Sequence, residues 1–175
     1  MNSRTKQMVY AALLTALAII IPIQFSFLRV YFPPFSATLA SHVPMFIAMF
    51  ISPFVAIVVG IGSTVGFLFT GLPLPIVLRA STHILVGYIG AKIIQKNRNY
   101  VKAVVITAPI HGLAEALVVI PFVGFDLYQF LVVMFGFIII HHTVDSIISF
   151  AIVKALAKAK RKNIYNTFLE VKEAA

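Results

Sequence analysis

Residues 75–88 place a group of polar side chains inside an apolar segment of the sequence. Arg79 and His83 stand four positions apart, with Ser81 and Thr82 between them, and this spacing puts Arg79 and His83 on one face of a helix. An arginine inside an apolar helix costs roughly 2.5–3.5 kcal/mol on membrane-insertion scales, so it usually faces a cavity or a partner. A guanidinium can hold a planar carboxylate through two parallel hydrogen bonds. We therefore interpret these four residues as candidate binding residues.

A second polar pair at the same helical spacing consists of His111 and Glu115. Two interpretations of Arg79 stay open at this stage: it binds an anionic ligand, or it forms a structural ion pair with Glu115 that joins two helices. His111 and Glu115 are likewise either ligand contacts or a satisfied polar contact between helices. We keep both as candidate binding residues, because ionisable side chains inside membrane segments mark functional sites by default.

The remaining polar side chains of the apolar segments are weaker candidates. His42 and Gln129 are kept as candidate binding residues, although a buried histidine more often packs or bonds to backbone than contacts a ligand. We expect structural roles, by packing or by hydrogen bonds within a helix, for Ser63, Thr64, His141, His142 and Asp145.

The residue types also argue against several kinds of catalytic and metal site. The chain has no cysteine, which excludes disulfides, thiolate metal sites and cysteine nucleophiles. It has no H-E-x-x-H motif, no nucleophile elbow and no phosphate-binding loop. The adjacent His141 and His142 point about 100° apart on a helix, so they are not a metal signature. We expect no enzymatic activity, no bound metal or cofactor, and no ATP hydrolysis by this chain itself.

The composition identifies an integral membrane protein. Of the 175 residues, 61% are hydrophobic and 11% are charged, whereas soluble domains are about 45–50% apolar and about 25% charged. The apolar runs approach the roughly 20 residues that a helix needs to cross a bilayer. The net charge of +9 comes mostly from the two chain ends and one loop near residue 98. This distribution indicates two cytoplasmic termini rather than nucleic-acid binding.

The apolar runs predict an all-α bundle of six membrane helices in a single domain. A loop is predicted at residues 26–36, where Pro33 and Pro34 prevent helix continuation. We expect the helices at about 8–27, 37–51, 54–70, 76–94, 103–123 and 129–156, followed by a basic cytoplasmic tail at 157–175.

Small residues at four-residue spacing occur on two of these helices. Ala12 and Ala16, with Ala11 beside them, lie on the first helix, and Gly62 and Gly66 lie on the third. Small-xxx-small steps let another helix approach closely. They therefore predict close helix–helix contacts.

Together these features resemble the substrate-binding S component of energy-coupling factor (ECF) transporters. The resemblance covers the whole chain and rests on six helices in a chain of this length, two cytoplasmic ends, the Ala12/Ala16 step and a polar outer cavity. Residues 38–53, TLASHVPMFIAMFISP, followed by residues 66–79, resemble the small-vitamin subgroup that includes the niacin and pantothenate S components.

The resemblance implies a multi-pass protein of the plasma membrane that binds a vitamin from outside the cell. Its expected partners are an ECF transmembrane coupling protein and two ATPase subunits, which use ATP. Ala12, Ala16 and the neighbouring Ala11 would face the coupling protein. The vitamin site would lie in the outer half of the membrane, lined by helices four to six. The first interhelical loop and the loop between the third and fourth helices would cover it.

The cargo that the residues favour is a small carboxylate vitamin, with niacin first and pantothenate second. Niacin combines an aromatic ring with a carboxylate that Arg79 can hold, whereas pantothenate needs several more hydroxyl and amide partners. One alternative is an S component for a neutral vitamin such as pyridoxine or hydroxymethylpyrimidine. A second is an autonomous proton-coupled permease that uses Glu115, His111 and Asp145. A third is a purely structural subunit of a membrane complex.

Overall fold

The computed structural model describes residues 3–33 and 35–168, apart from the side chains of Ser3, Phe32, Gln129, Val133 and Met134. These residues form six α-helices, one hairpin and a π-helical segment that leads into the last helix. The helices are α1 (Ser3–Gln24), α2 (Val43–Met49), α3 (Pro53–Leu68), α4 (Leu74–Asn97), α5 (Tyr100–Val123) and α6 (Phe137–Ala159). The other elements are the strands β1 (Arg29–Phe32) and β2 (Phe35–Thr38), the π-helical segment Gln129–Gly136, and the 3₁₀ turns Ser26–Leu28 and Ile164–Asn166.

Helix boundaries coincide with capping residues in the sequence. The Ser52 hydroxyl caps α3 by accepting a hydrogen bond from the Val55 N–H at 3.2 Å, and Pro53 occupies the first turn. Asn99 caps α5 in the same way, accepting from the Lys102 N–H at 2.8 Å. Each cap satisfies a backbone donor that the first turn of a helix leaves without an intrahelical partner.

The segment between α1 and α2 differs from its prediction as a loop followed by a helix at 37–51. Strands β1 and β2 pair as an antiparallel hairpin with Arg29 opposite Thr38, and α2 begins only at Val43. The Arg29 Nε donates to Thr38 Oγ1 at 3.0 Å, and its guanidinium also donates to the Pro22 carbonyl oxygen. Aromatic and β-branched residues are frequent in this segment and favour strand pairing. The strand preference is overlooked in the sequence because Pro33 and Pro34 indicate a loop.

The core is built around α2 and α3. All seven residues of α2 are buried, and Met45, Phe46 and Met49 are among the largest fully buried side chains. Helix α3 packs against both α1 and α4. A Cβ on Gly66 would lie 2.7 Å from the Ile19 Cα in α1, so only glycine permits this approach. The close helix contact predicted from the glycine spacing on α3 is therefore confirmed.

The helix lengths identify a multi-pass membrane protein but do not confirm six crossings. Within the described residues, four helical stretches are long and apolar enough to span a bilayer, namely Arg4–Gln24, Leu74–Asn97, Tyr100–Val123 and Phe130–Ala159. Helix α3 has 16 residues and α2 has seven, whereas a straight crossing takes about 20. The predicted second membrane helix is short because residues 35–38 pair in the hairpin instead of extending α2.

Replacing Gly66 with alanine should destabilise the protein more than replacing Gly62. An alanine Cβ at position 66 would press on the Ile19 backbone, which moves only if α1 shifts, whereas at position 62 the nearest group is the Thr15 side chain. We expect an overpacking cost of about 1–3 kcal/mol for Gly66→Ala. Thermal unfolding of both variants in detergent measures this difference. Equal melting temperatures would contradict the backbone contact.

Candidate functional site

A small polar cavity lies where the hairpin meets the helices α3 to α6. Its volume is about 20 Å³, which is room for about one water molecule. Charged and imidazole groups surround it, in contrast to the apolar exterior of the helices. The lining residues are Ser36, Ala37, Ser41, His42, Phe67, Ile76, Arg79, Ala80, His83, Glu115 and His141.

A larger groove of about 520 Å³ lies between α5 and α6 and has a different character. Its lining includes Val105, Ala108, Ile147 and Phe150, and none of its described lining residues is charged. Val105 and Ile147 are more than 60% exposed, as expected for side chains that face lipid. The groove has a few hydroxyl groups but no charged group among its described lining residues to hold an ionic ligand, and we take the polar cavity as the candidate site.

Arg79 and Glu115 form a buried ion pair at the cavity. The Arg79 Nε and Nη2 both donate to Glu115 Oε2, at 3.0 and 2.6 Å, and Nη2 also donates to the Ser36 carbonyl oxygen at 3.3 Å. The Arg79 guanidinium carbon lies 5.5 Å from the centre of the Phe35 ring. Side-chain exposure is only 4% for Arg79 and 5% for Glu115. The pair connects α4, α5 and β2. In this conformation Arg79 therefore forms the structural ion pair with Glu115 that was one of its two predicted roles.

The second carboxylate oxygen of Glu115, Oε1, is linked through His111 to His142 on α6. His111 Nε2 lies 3.1 Å from Glu115 Oε1, and His83 Nε2 lies 3.7 Å from the same oxygen. His111 Nδ1 is 3.0 Å from His142 Nδ1, and His142 Nε2 is 3.3 Å from Thr107 Oγ1. One carboxylate therefore neutralises Arg79 and holds the histidines of α4 and α5 around it.

Asp145 positions His42 next to these groups. Its carboxylate accepts hydrogen bonds from the backbone N–H groups of Ala40 and His42, both at 2.9 Å. Ala40 has a left-handed φ of 69°. The chain turns at this residue, and the His42 ring that follows lies in the cavity wall. The His42 ring centre lies 4.6, 4.8 and 4.3 Å from those of His83, His111 and His141. Asp145 thus has the structural role that we expected, and His42 lies in the cavity wall.

The hydroxyl groups of α3 behave differently from one another. Thr64 Oγ1 donates to the Gly60 carbonyl oxygen at 3.0 Å, which confirms its predicted hydrogen bond within the helix. The same expectation is wrong for Ser63, whose Oγ lies 2.8 Å from His83 Nδ1. The reason is that α3 and α4 are in close contact, so the His83 ring is within reach of Ser63.

Several predicted site residues lie outside the cavity wall. The Ser81 and Thr82 hydroxyls donate within α4, to the Leu78 carbonyl oxygen at 2.6 Å and the Arg79 carbonyl oxygen at 2.7 Å. The Gln129 side chain is outside the described part of the structure. Conversely, three polar lining residues were not among the binding residues predicted from the sequence. They are Ser36, Ser41 and His141, and only the i,i+4 spacing of His141 and Asp145 hinted at any of them.

Three lining residues carry buried polar atoms without a hydrogen-bond partner among the described residues. They are Ser36 Oγ, His42 Nδ1 and His83 Nε2. Leaving a buried polar group unsatisfied costs about 1–3 kcal/mol, and such groups are rare in native proteins. His42 Nδ1 and His83 Nε2 lie near the Asp145 and Glu115 carboxylates, at 3.5 and 3.7 Å, which is too long for a good hydrogen bond. The three atoms therefore leave hydrogen-bonding capacity at this cavity that a ligand can use.

Comparison with known proteins identifies a relative over nearly the whole chain. The niacin transporter NiaX of Lactococcus lactis subsp. cremoris (strain MG1363) is 32% identical over 188 aligned residues, which cover 94% of this chain and 84% of that protein. This chain belongs to the NiaX family. The relationship confirms the resemblance to niacin-type transporters. No protein-family model and no solved structure matches this NiaX-family chain.

The predicted docking residues of this NiaX-family chain are not equivalent. Ala12 and Ala16 are exposed on the outer face of α1. Ala11 is only 4% exposed and belongs to the hydrophobic core around α2. Ala11 therefore faces the interior of the chain while Ala12 and Ala16 face outward, because a step of one residue turns a helix by about 100°.

Removing either partner of the Arg79–Glu115 pair should strongly destabilise this NiaX-family protein, and removing both should cost less than the two single losses together. A single Arg79→Leu or Glu115→Leu change leaves an uncompensated buried charge, at a cost of about 3–5 kcal/mol. The double Leu variant should lose less than the sum of the two single losses. Thermal unfolding in detergent of the four proteins gives the coupling, with Thr64→Val as a control. Additive losses would contradict the buried pair.

Proposed function

We propose that this chain is the substrate-binding S component of an ECF importer and that its cargo is a small carboxylate vitamin, niacin first and pantothenate second. The observation that carries the proposal is a buried arginine at a polar cavity with unsatisfied polar atoms. The NiaX relative, which is named a niacin transporter, supports the same class of cargo.

The proposed recognition uses Arg79 for the vitamin carboxylate. The contact between Arg79 Nη2 and the Ser36 carbonyl oxygen is long, at 3.3 Å, so a charged carboxylate is a stronger acceptor for this donor. The Ser36 hydroxyl would donate a second hydrogen bond. Glu115 would keep its contacts with His111, so the buried guanidinium would serve two carboxylates through its five N–H donors.

The aromatic ring of niacin suits the remaining walls. Phe67 of α3 lines the cavity, and an aromatic ligand would pack against it. The pyridine nitrogen is a hydrogen-bond acceptor, and the unsatisfied His42 Nδ1 would donate to it when it carries the proton. Pantothenate shares the carboxylate but is longer and carries hydroxyl and amide groups, so it ranks second.

Binding requires the hairpin to move. The cavity of about 20 Å³ holds about one water molecule, and a pyridine ring with a carboxylate is several times larger. Ser36 and Ala37 of β2 form one wall, and Phe35 packs on Phe137 with ring centres 5.4 Å apart. We infer that the hairpin acts as a lid that swings outward to admit the vitamin and then closes over it.

The proposal extends to partners and orientation. The sequence lacks a phosphate-binding loop, so transport energy would come from a coupling protein with two ATPase subunits. Ala12 and Ala16, exposed on α1, would meet the coupling protein, because small residues permit close helix approach. The charge distribution favours a plasma-membrane protein with both termini and the basic tail in the cytoplasm. No enzymatic role and no ATP binding is proposed for the chain.

Arg79→Lys should weaken niacin binding by roughly 10- to 100-fold while the protein stays folded. Lysine keeps the positive charge opposite Glu115 but loses the planar fork, and hydrogen bonds to charged groups are worth about 1.5–3 kcal/mol. Isothermal titration calorimetry on purified protein measures the affinity. Ser81→Ala is the matched control, since that hydroxyl bonds within its own helix.

Nicotinamide provides a test from the ligand side. It has the same ring but no negative charge, so it should bind far more weakly than niacin to the unchanged protein. Equal affinities for niacin and nicotinamide, or an Arg79→Lys variant that binds niacin normally, would overturn the carboxylate clamp.

Ala16→Trp should block niacin uptake in cells and leave niacin binding by the purified protein unchanged. A bulky side chain on the exposed face of α1 would prevent close helix approach without entering the cavity. Leu117→Trp, on a residue of α5 that is 50% exposed, is the control and should transport normally. Normal uptake by Ala16→Trp would contradict the docking face.

An autonomous proton-coupled permease is the second candidate function. The observation in its favour is the buried chain from Glu115 through His111 and His142 to Thr107, because linked carboxylate and imidazole groups can relay protons. Liposomes that contain this chain alone distinguish the two functions. Niacin uptake driven by a proton gradient without any ATPase would favour the permease, and binding without uptake would favour the S component.

A further inference from the structure

We propose that His42, His83, His111 and Glu115 form a binding site for a divalent transition-metal ion. One ligand atom from each of these four buried residues lies within 4.8 Å of the other three. The residues come from the N-cap of α2, from α4 and from α5, so the folded chain assembles the site. The metal site goes beyond the proposed vitamin binding and does not depend on it.

The two distances that end on Glu115 Oε1 are close to those of a four-coordinate site, and the other ligand atoms lie within 4.8 Å of one another. His111 Nε2 lies 3.1 Å and His83 Nε2 lies 3.7 Å from Glu115 Oε1. Metal–nitrogen and metal–oxygen bonds of about 2.0–2.2 Å in a tetrahedron place neighbouring ligand atoms roughly 3.4 Å apart. Small rotations of these side chains would therefore bring all four ligand atoms within bonding distance of one ion.

The second nitrogen of two histidine rings is already held by a neighbouring side chain. His83 Nδ1 lies 2.8 Å from Ser63 Oγ, and His111 Nδ1 lies 3.0 Å from His142 Nδ1. Histidines that bind metals almost always engage their other nitrogen in this way, which fixes the tautomer and the ring orientation. In both rings the arrangement turns Nε2 toward Glu115.

A metal ion would also satisfy a group that is otherwise unsatisfied. His83 is 2% exposed, and its Nε2 has no hydrogen-bond partner among the described residues. Glu115 uses Oε2 for Arg79 and turns Oε1 to the histidines. The carboxylate therefore stands between the guanidinium and the ion, and it reduces their mutual repulsion.

The donor set selects the class of metal. Three imidazole nitrogens and one carboxylate oxygen suit Zn²⁺, Co²⁺ or Ni²⁺, whereas Mg²⁺ and Ca²⁺ prefer oxygen ligands alone. A second group, His42 with His141 and Asp145, also lies within 4.8 Å. The Asp145 carboxylate already accepts two backbone hydrogen bonds at 2.9 Å, so the group that contains Glu115 is the better site.

Metal content of the purified protein tests this site directly. The full chain, carrying a streptavidin-binding tag instead of a histidine tag, is stripped with a chelator, incubated with Zn²⁺ or Co²⁺ and desalted in detergent without niacin. We expect elemental mass spectrometry to find about one metal ion per chain. Bound Co²⁺ should also give the intense visible absorption of a four-coordinate site. Added Zn²⁺ should also raise the melting temperature, because an ion that binds only the folded state stabilises it.

Ser63 and Thr64 are adjacent on α3 and allow a test variant of the metal site to be compared with a matched control. Ser63→Ala removes the group that orients His83 and should weaken Zn²⁺ binding by roughly 10- to 100-fold, whereas Thr64→Val should bind normally. His83→Gln should abolish the Co²⁺ absorption and the Zn²⁺-dependent rise in melting temperature. Absence of retained metal in the unchanged protein, or equal retention by His83→Gln, would overturn the site. Neither outcome bears on niacin affinity, which is measured separately.

Discussion

The buried ion pair between Arg79 and Glu115 is the interaction on which the rest of the site depends. It joins α4 to α5 and, through the Ser36 carbonyl oxygen, to β2. In a low-dielectric interior neither charge is tolerable alone, because desolvation of an unpaired ion costs several kcal/mol. The pair therefore holds these elements at a fixed distance. It also offsets the free-energy cost of placing the Arg79 guanidinium inside an apolar helix.

This constraint links stability to binding. The carboxylate ligand that we propose would have to share Arg79 with Glu115 instead of displacing it, since displacement would leave Glu115 unpaired. The histidines relieve that conflict, because Glu115 Oε1 already contacts His111 and lies near His83. The same residues would supply the proposed metal ligands, so one carboxylate would serve the fold, the proposed anion site and the proposed metal site. Asp145, which holds the turn at Ala40, sets the position of His42 in this arrangement.

The sequence predicted some of these features and missed others for physical reasons. Local patterns identified the membrane class, the polar pairs at helical spacing and the glycine step of α3. The hairpin was missed because adjacent prolines resemble a plain loop. The role of Ser63 was missed because its partner, His83, is twenty residues away. The sequence predicted that no metal is bound, and the metal site proposed above has no sequence motif because its donors are scattered along the chain.

By itself the sequence determined the lipid-facing character of the helices, the presence of an arginine inside the membrane and membership in a transporter family. These properties follow from composition, from a helical period of 3.6 residues and from similarity along the chain. Only the tertiary structure brought His42 beside His83 and His111 and set Glu115 between Arg79 and the histidines. Such contacts join residues that are tens of positions apart, and their distances depend on helix packing and on the turn at Ala40. No local pattern encodes either of these.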